Sequence, residues 1–520
     1  MCFLLWTPTA LHAQSGVLDP TFNGAGYAIS PIGLNSVASK VLVQDDQKIL
    51  VVGNGSTSGS TVLAYTFRYL PDGTPDMTFA VNGVSSYELN TEAIIHSAVL
   101  TSDGKIVMVG STWDNVDRAL LLIRINADGS LDGSFGTNGV VAQNISVAPE
   151  NKEDVAYDVV LDDEDNILIC GTTDDEINLL HPFVARLSAN GILDPAFGMG
   201  GIVTMPSSDG SGGFKGIAVQ SNGSILASGY SANGAGNLEM LVVRLTDEGN
   251  LDPAFGNTGV VVYSNGGVAD IGEDLKVTSD GSVLVTGITS ALDFAHTDAR
   301  LVKFTPTGEV DASFGIAGAV VEDMNTYDVP NSVNLMSDGK ILMAGFTGWG
   351  PPGVDLAVWK YLADGTPDLT FGTNGLAIQV VPDHSTEIKS VGIQADGKLV
   401  FSGLARSMNF EQSFFVGRLQ NDVTIDVAEM VGIRECLVFP NPITVGSLLT
   451  VRFPEEFQPD TRISILAPDG RVVFTAKYSS LQREAQQVRF QLPAELAPGI
   501  YQLALGQQSS NLSTSILIPR

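Results

Sequence analysis

Basic residues, cysteine and long apolar runs are all scarce in this chain. Lysine and arginine number 27 against 58 aspartates and glutamates, a formal net charge of −31. So acidic a protein repels phosphate backbones and anionic lipid, which argues against nucleic acid or a membrane surface as partner. The acidity is uneven: residues 437–520 hold seven basic and six acidic side chains, so the first 436 residues carry a net of −32. Cys2, Cys170 and Cys436 are the whole cysteine complement, and they lie far apart, so disulfides do not staple the fold. Cys170, within Ile167-Leu168-Ile169-Cys170-Gly171, reads as a small buried hydrophobe. After the N-terminal segment no run of eighteen apolar residues appears, which excludes a spanning helix there. No Gly-x-Ser-x-Gly, His-Glu-x-x-His or phosphate-cradling glycine loop stands in a suitable strand or helix setting.

Glycine, by contrast, is abundant at 56 residues, and 44% of the chain is hydrophobic, a globular composition rich in turns. The N-terminal stretch Cys2-Phe3-Leu4-Leu5-Trp6 to Leu11-His12-Ala13-Gln14 has the apolar core and small-residue end of a secretory signal, without the usual basic start. Residues 1–13 are therefore expected to be a signal segment, truncated at its beginning and cut after Ala13.

The stretch Asp128-Gly129-Ser130-Leu131-Asp132-Gly133-Ser134-Phe135-Gly136 recurs. Its phenylalanine returns as Phe22, Phe79, Phe135, Phe197, Phe255, Phe314 and Phe371, at intervals of 57, 56, 62, 58, 59 and 57 residues. A period this steady marks a repeat array. Each unit holds four apolar runs of strand length. The middle two are joined by a turn such as Asp103-Gly104-Lys105 or Asn222-Gly223-Ser224, which suits the positive φ angles of a two-residue hairpin. The last run ends in a basic residue: Arg68, Arg124, Arg186, Arg244, Lys303, Lys360 and Arg418. The chain opens on a motif with no hairpin before it and closes at Arg418-Leu419 with no motif after it. A ring in which the first strand completes the last sheet repairs both deficits and removes exposed edges. The expected fold is all-β: a seven-bladed β-propeller over residues 14–422, the N-terminal strand closing the last blade.

The pattern Leu-Asp-x-x-Phe-Gly-x-x-Gly, followed by Asp-Gly-Lys-Ile and later Arg-Leu, resembles the bacterial delta-60 repeat family from residue 18 to about 420. That resemblance implies the propeller but little about activity, because the family as a whole is poorly characterised.

Residues 423–436 read as a linker, and from Leu437 the text changes to alternating short strands, the pattern of a small Ig-like β-sandwich over 437–520. Pro440-Asn441-Pro442, Pro468-Asp469-Gly470-Arg471 and Leu496-Ala497-Pro498-Gly499-Ile500-Tyr501 make this module similar to the type A C-terminal sorting domain of the type IX secretion system of Bacteroidetes-like bacteria. The resemblance implies recognition by that secretion machinery through Pro440, Asn441, Pro442, Gly470, Gly499 and Tyr501. It also implies export through the periplasm, and then release or anchoring at the outer surface. A plain carbohydrate-contacting sandwich is the other reading, and it lacks an aromatic platform.

Propeller ligands meet the loops around the channel, and those leading into the innermost strands carry Glu92, Glu153, Asp154, Asp270, Glu273, Asp274, Asp328 and Glu387. Such carboxylates, Glu92, Asp154, Asp274, Asp328 and Glu387 above all, could hold Ca²⁺, which takes six to eight oxygens. The bland alternative is that an acidic chain puts carboxylates in most loops. The motif aspartates Asp19, Asp76, Asp132, Asp194, Asp252, Asp311 and Asp368 read as structural, each fastening its blade by an Asx-type bond. His12, His96, His181, His296 and His384 sit at different repeat phases and cannot ring one metal by symmetry. Trp113, Trp349 and Tyr230 could stack on a sugar or peptide, or simply pack on their own blades. No cofactor is expected beyond the calcium alternative. The resulting expectation is a secreted or surface binding or structural module with a glycan or protein ligand at the channel face. Its rivals are a hydrolase or lyase using channel carboxylates and a Ca²⁺-stabilised adhesin.

Overall fold

The computed structural model describes residues 15–56, 61–89, 92–148, 152–177, 179–205, 211–291, 296–348 and 353–421. In the C-terminal region it describes 437–439, 448–452, 462–466, 472–477, 482–484, 487–492, 499–507 and 510–518. Two compact units divide at Thr424 and Ile425. No helix among the described residues is long and apolar enough to cross a membrane.

The first unit is a run of antiparallel four-stranded meanders. In the first, Leu34–Val43, Ile49–Ser56, Val62–Tyr69 and Val84–Tyr87 pair in chain order. The seven first strands are Leu34–Val43, Glu92–Leu100, Val155–Leu161, Gly212–Val219, Ala269–Val277, Tyr327–Leu335 and His384–Ile393. Each lies against the next, and the last lies against the first, so they ring an axis. We number the blades 1 to 7 in that order.

Blade 7 is completed from the other end of the chain. Tyr27–Ser30 pairs antiparallel with Gln412–Leu419, Tyr27 opposite Gly417 and Ser30 opposite Phe414. The Asp19 N–H donates to the Arg418 carbonyl at 2.8 Å, and the Gln420 N–H to the Val17 carbonyl at 2.8 Å. Across this seam one core cluster joins Phe22, Ala38, Val41, Val51 and Phe67 with Val400, Phe414 and Val416. The strand following Phe22 therefore lies where the sequence placed it.

The motif explains why blades pack as they do. One oxygen of each motif aspartate accepts the N–H of the residue two positions on, as in Ser134 N–H to Asp132 at 3.1 Å, which is the expected Asx turn. Unforeseen was the use of the other oxygen. It pairs with the basic residue ending the third strand of the same blade: Arg68 with Asp76 at 2.8 Å, Arg244 with Asp252 at 2.8 Å, Lys303 with Asp311 at 3.0 Å and Arg418 with Asp19 at 2.9 Å. The cation also lies over the motif ring, 4.6 Å from the Phe79 centroid for Arg68, within cation–π reach. The Arg68 guanidinium then donates to the Ala127 carbonyl of blade 2 at 2.8 Å. One aspartate, one cation and one phenylalanine thus fasten a blade to itself and to its neighbour. A turn glycine from the next blade sits on the ring: Gly129 has φ +89°, and a Cβ there would lie 2.8 Å from Phe79.

The hairpins between first and second strands differ from the expected two-residue type. Gly104 alone takes a positive φ, 80°. The loop closes by Gly104 N–H to the Thr101 carbonyl and Thr101 N–H to the Lys105 carbonyl, both 2.9 Å. This is a longer loop with one left-handed residue. The lysine that follows it reaches a motif carboxylate. Lys48, Lys105, Lys340 and Lys398 approach Asp76, Asp132, Asp368 and Asp19 at 3.5, 3.2, 3.0 and 3.9 Å. Asn166, Ser224 and Ser282 replace it in blades 3 to 5. There the side chains of Asp194, Asp252 and Asp311 are 27%, 19% and 20% exposed, against 3% for Asp76.

Burial opposes the charge on Asp76 and Asp368. Hydrogen bonds from Thr78 and Thr370 and the neighbouring cations outweigh it, and both carboxyls are held down at about 2. A folded-state pKa below the unfolded value gives stability that is present above about pH 4 and lost as pH falls through the folded value. We expect the melting temperature to hold near neutrality and fall steeply from pH 4 to pH 2. A flat profile over that window in a thermal scan would show that the aspartate pairs do not stabilise the blades.

In the second unit the described strands form two four-stranded sheets. One holds Leu437–Phe439, Leu448–Arg452, Gln482–Glu484 and Gln487–Gln491; the other holds Arg462–Leu466, Val472–Lys477, Gly499–Gln507 and Ser510–Ile518. Leu449, Val451 and Ile465 are fully buried, and Phe474 of one sheet stacks on Phe490 of the other with centroids 4.8 Å apart. Pro440, Asn441, Pro442 and Gly470 lie outside the described residues, as do Cys2, Cys436, the expected signal 1–13 and the expected linker 423–436. Gly499 and Tyr501 lie in a strand that pairs with Ser510–Ile518.

Candidate functional site

All seven innermost strands carry a β-bulge at one equivalent place. The pairing register skips a residue between Ala38 and Lys40, Ile95 and Ser97, Ala156 and Asp158, Phe214 and Gly216, Gly272 and Asp274, Pro330 and Ser332, and Ile388 and Ser390. The skipped residues are Ser39, His96, Tyr157, Lys215, Glu273, Asn331 and Lys389. Bulges re-aim side chains, and here all seven are half-buried, neither core nor outer surface.

A glycine in the second strand makes each bulge possible. Gly171 stands opposite Ala156, where a Cβ would come 1.8 Å from the Val155 carbonyl oxygen; Gly53, Gly110, Gly229, Gly287, Gly345 and Gly403 occupy the same place. Only a residue without Cβ lets the inner backbone approach so closely. We expect Gly171→Ala to cost about 1–3 kcal/mol through overpacking. The same substitution should also re-aim Tyr157. A thermal scan with the tyrosine fluorescence of blade 3 checks both, and an unshifted melting temperature would contradict the close approach.

Three of the seven bulge residues have protein partners, Ser39 and Asn331 on the neighbouring inner strand and Lys389 on its own. Ser39 Oγ donates to the Ile95 carbonyl at 2.6 Å, Asn331 Nδ2 to the Ile388 carbonyl at 2.7 Å, and Lys389 pairs with Glu387 at 3.0 Å. The other four, on consecutive blades, form a different group. His96 and Tyr157 rings lie 4.9 Å apart, and the Lys215 ammonium rests 3.6 Å from the Tyr157 centroid. Among the described residues, the imidazole nitrogens of His96, the Tyr157 hydroxyl, the Lys215 ammonium and the Glu273 carboxylate have no hydrogen-bond or ion-pair partner. Burial, with the charges of Lys215 and Arg118, pushes the His96 pKa down to about 4, so its ring is neutral at pH 7. Burial raises the Glu273 pKa against the pull of Lys215 and Lys389.

The residues singled out in the loops behave otherwise. Asp154 is fully buried and accepts from Thr173 at 2.6 Å and from the Ile145 and Ser146 N–H groups. Asp328 does the same for Thr347 and the Met324 N–H, and Asp270 holds Arg300 at 3.0 Å. Glu92 and Glu153 share Arg118 at 3.1 and 3.0 Å. Asp274 binds Lys276 at 3.0 Å and accepts the Val333 N–H, while Glu387 holds Lys389. These carboxylates brace loops and strands rather than ring one ion. Among the described residues, the one group with metal-like spacing is Asp298, Asp323 and Asp328, with oxygens within 4.8 Å of one another, so a single expected residue takes part.

Trp113 is 40% exposed at a strand end, Tyr230 is half-buried, and Trp349 lies outside the described residues. His181 pairs with Asp175 at 3.0 Å, and the His384 ring contacts the Pro382 carbonyl. Of the axial four, Glu273 was among the residues expected at the channel; His96, Tyr157 and Lys215 were not. A signal existed: each bulge residue stands seven positions before the first residue of the hairpin turn, follows an apolar residue or glycine, and varies in chemistry among the repeats.

Five stretches, 44–79, 101–135, 220–255, 278–314 and 337–371, match the family model described as a domain of unknown function (DUF5122) beta-propeller. Each runs from a hairpin turn to a motif phenylalanine. No curated protein matches. Solved structures that resemble the chain include a glucose dehydrogenase, 12% identical, covering 75% of this chain and 98% of that one with a TM-score of 0.33. Others are a hypothetical protein from Leishmania major, at 12%, 50%, 81% and 0.27, and a GH43_1 enzyme from Xanthomonas citri complexed with xylose, at 9%, 76%, 90% and 0.27. These likenesses are too distant to bear on chemistry. The first unit of the chain is an all-β propeller, and five of its repeats match that family model.

Proposed function

We propose that this protein is an exported binding propeller that reads its ligand at the axis. The observation that carries the reading is the group His96, Tyr157, Lys215 and Glu273, placed on consecutive blades by equivalent bulges and left with unpartnered polar ends among the described residues. Polar groups that face inward without protein partners are the fixed points a ligand uses. The motif aspartates and the basic strand ends are consumed in holding blades together, whereas the bulge residues vary in chemistry among the repeats.

The second unit supports a role outside the cytoplasm. Its two sheets fit the small Ig-like sandwich that the Pro440-Asn441-Pro442, Gly470 and Gly499-to-Tyr501 segments resemble. On this reading the type IX-type machinery takes the chain across the outer membrane to the surface or the medium. Removing residues 437–520 should leave the propeller in the periplasm of a host that carries the machinery; unchanged surface appearance would remove this part of the reading.

Ligand binding is tested by probing glycan, peptide and metabolite arrays with the full chain and with Tyr157→Ala. Saturable binding that the variant loses is the expected result. Binding that the variant keeps places recognition elsewhere. A calcium-stabilised form of the same reading rests on Asp298, Asp323 and Asp328, whose mutual repulsion a cation would relieve. Calcium should then raise the melting temperature and a chelator return it.

A further inference from the structure

The charges at the axis narrow the ligand, an inference that rests on the axial-binding reading. Three lysines of the inner strands have a carboxylate within reach: Lys40 with Asp158 at 3.8 Å, Lys276 with Asp274 at 3.0 Å and Lys389 with Glu387 at 3.0 Å. Lys215 has none among the described residues. Its ammonium is seated on the Tyr157 ring, which uses one face of the cation and leaves N–H donors without an acceptor. Glu273, at the equivalent bulge of the next blade, has no basic partner there either. The two are close enough for Lys215 to influence the Glu273 carboxyl, yet they form no ion pair with each other. The axis therefore presents a positive and a negative group side by side, held apart by being on separate strands, among lysine–carboxylate pairs that cancel.

A ligand with one charge would satisfy one of these groups and leave the other half-buried and unmatched, which costs free energy. A molecule that carries a carboxylate and an ammonium a few bonds apart matches both. We propose that the axial channel binds a small zwitterion of the α-amino-acid type, its carboxylate on Lys215 and its ammonium on Glu273. The neutral imidazole of His96 and the Tyr157 hydroxyl supply hydrogen bonds beside it, and the ring faces flank its side chain.

The test is calorimetric titration of the full chain with the protein amino acids one by one. Each binder is then compared with its N-acetyl form, which is only an anion, and its amide, which is only a cation. Lys215→Met and Glu273→Gln are titrated in parallel. We expect at least one zwitterion to bind saturably, both blocked forms to bind at least tenfold more weakly, and both variants to lose at least tenfold. Since neither side chain has a hydrogen-bond or ion-pair partner among the described residues, and Lys215 gives up only its seat on the Tyr157 ring, both variants should melt within a few degrees of the parent, which separates lost binding from lost fold. The inference is overturned if a blocked form binds as well as the zwitterion, if either variant binds as tightly as the parent, or if no amino acid binds up to millimolar concentration. An array ligand that Tyr157→Ala abolishes but Lys215→Met and Glu273→Gln leave unchanged sinks the zwitterion and keeps axial binding. An array ligand indifferent to all three sinks both.

Discussion

Deleting residues 15–30 should abolish the cooperative fold of the propeller although the other six blades keep every residue of their sheets. The segment supplies the outer strand of blade 7, the Asp19 partner of Arg418 and the fully buried Phe22. Losing a buried phenylalanine costs about 3–5 kcal/mol. Leaving a buried cation without its partner costs roughly another 3–5 kcal/mol, and Arg418 is only 5% exposed. Together these reach the whole stability of an ordinary domain, about 5–15 kcal/mol. The deletion also bares the edge of Gln412–Leu419 to pairing with other chains. Circular dichroism melting and limited proteolysis should show no cooperative transition and rapid cleavage. A circular permutant that joins residues 15–33 after Gln420 should melt like the parent, because the strand then reaches the same seat from the near side. A truncated chain with an unchanged transition would mean that the ring does not depend on its closing strand.

The second large effect is expected at Arg244. Its guanidinium pairs with Asp252 at 2.8 Å, donates to the Pro306 carbonyl of the next blade at 2.6 Å and lies 4.8 Å from the Phe255 centroid. Ser224 stands where other blades carry the hairpin lysine, so Asp252 lacks that second cation. Arg244→Met should cost about 3–5 kcal/mol, the usual cost of breaking a buried pair by removing one partner. The lower end applies, since the Asp252 side chain is 19% exposed and water screens part of the penalty. Arg124→Met, at the same position of blade 2, should cost less, because Lys105 remains 3.2 Å from Asp132. Adding Asp252→Leu to Arg244→Met should recover part of the loss by removing the orphaned charge. Chemical denaturation of the four proteins decides it: equal losses at Arg244 and Arg124, or no recovery in the double variant, would mean that the aspartate–cation pair is not what the blade leans on.

These expectations show where local residue order suffices and where it does not. The hairpin loops were legible as turns, since a glycine or an aspartate with positive φ announces itself. Their length was not, because the one left-handed residue and the lysine that follows serve a motif aspartate contributed by a distant part of the blade. The Asx turn at Asp132 is a bond between residues two apart and could be read directly. Its second bond, to Arg124, spans two strands of a sheet; equal numbers of aspartates and basic strand ends hinted at it, but counting does not give proximity. The loop carboxylates Asp154, Asp270 and Asp328 looked free, and only burial shows that they are held by threonine, backbone N–H groups or arginine.

The order of residues by itself determined the repeat, the strand periodicity, the seven motif copies and the offset that forces the N-terminal strand into the last sheet, because each follows from spacing along one chain. Tertiary structure alone decided that the position seven before each hairpin turn bulges at the axis, and what its side chains lack there. Each inner-strand bulge rests on a glycine of the second strand that faces the inner backbone. Whether Lys215 or Glu273 has a partner depends on distances between blades that are separated in the chain by nearly sixty residues.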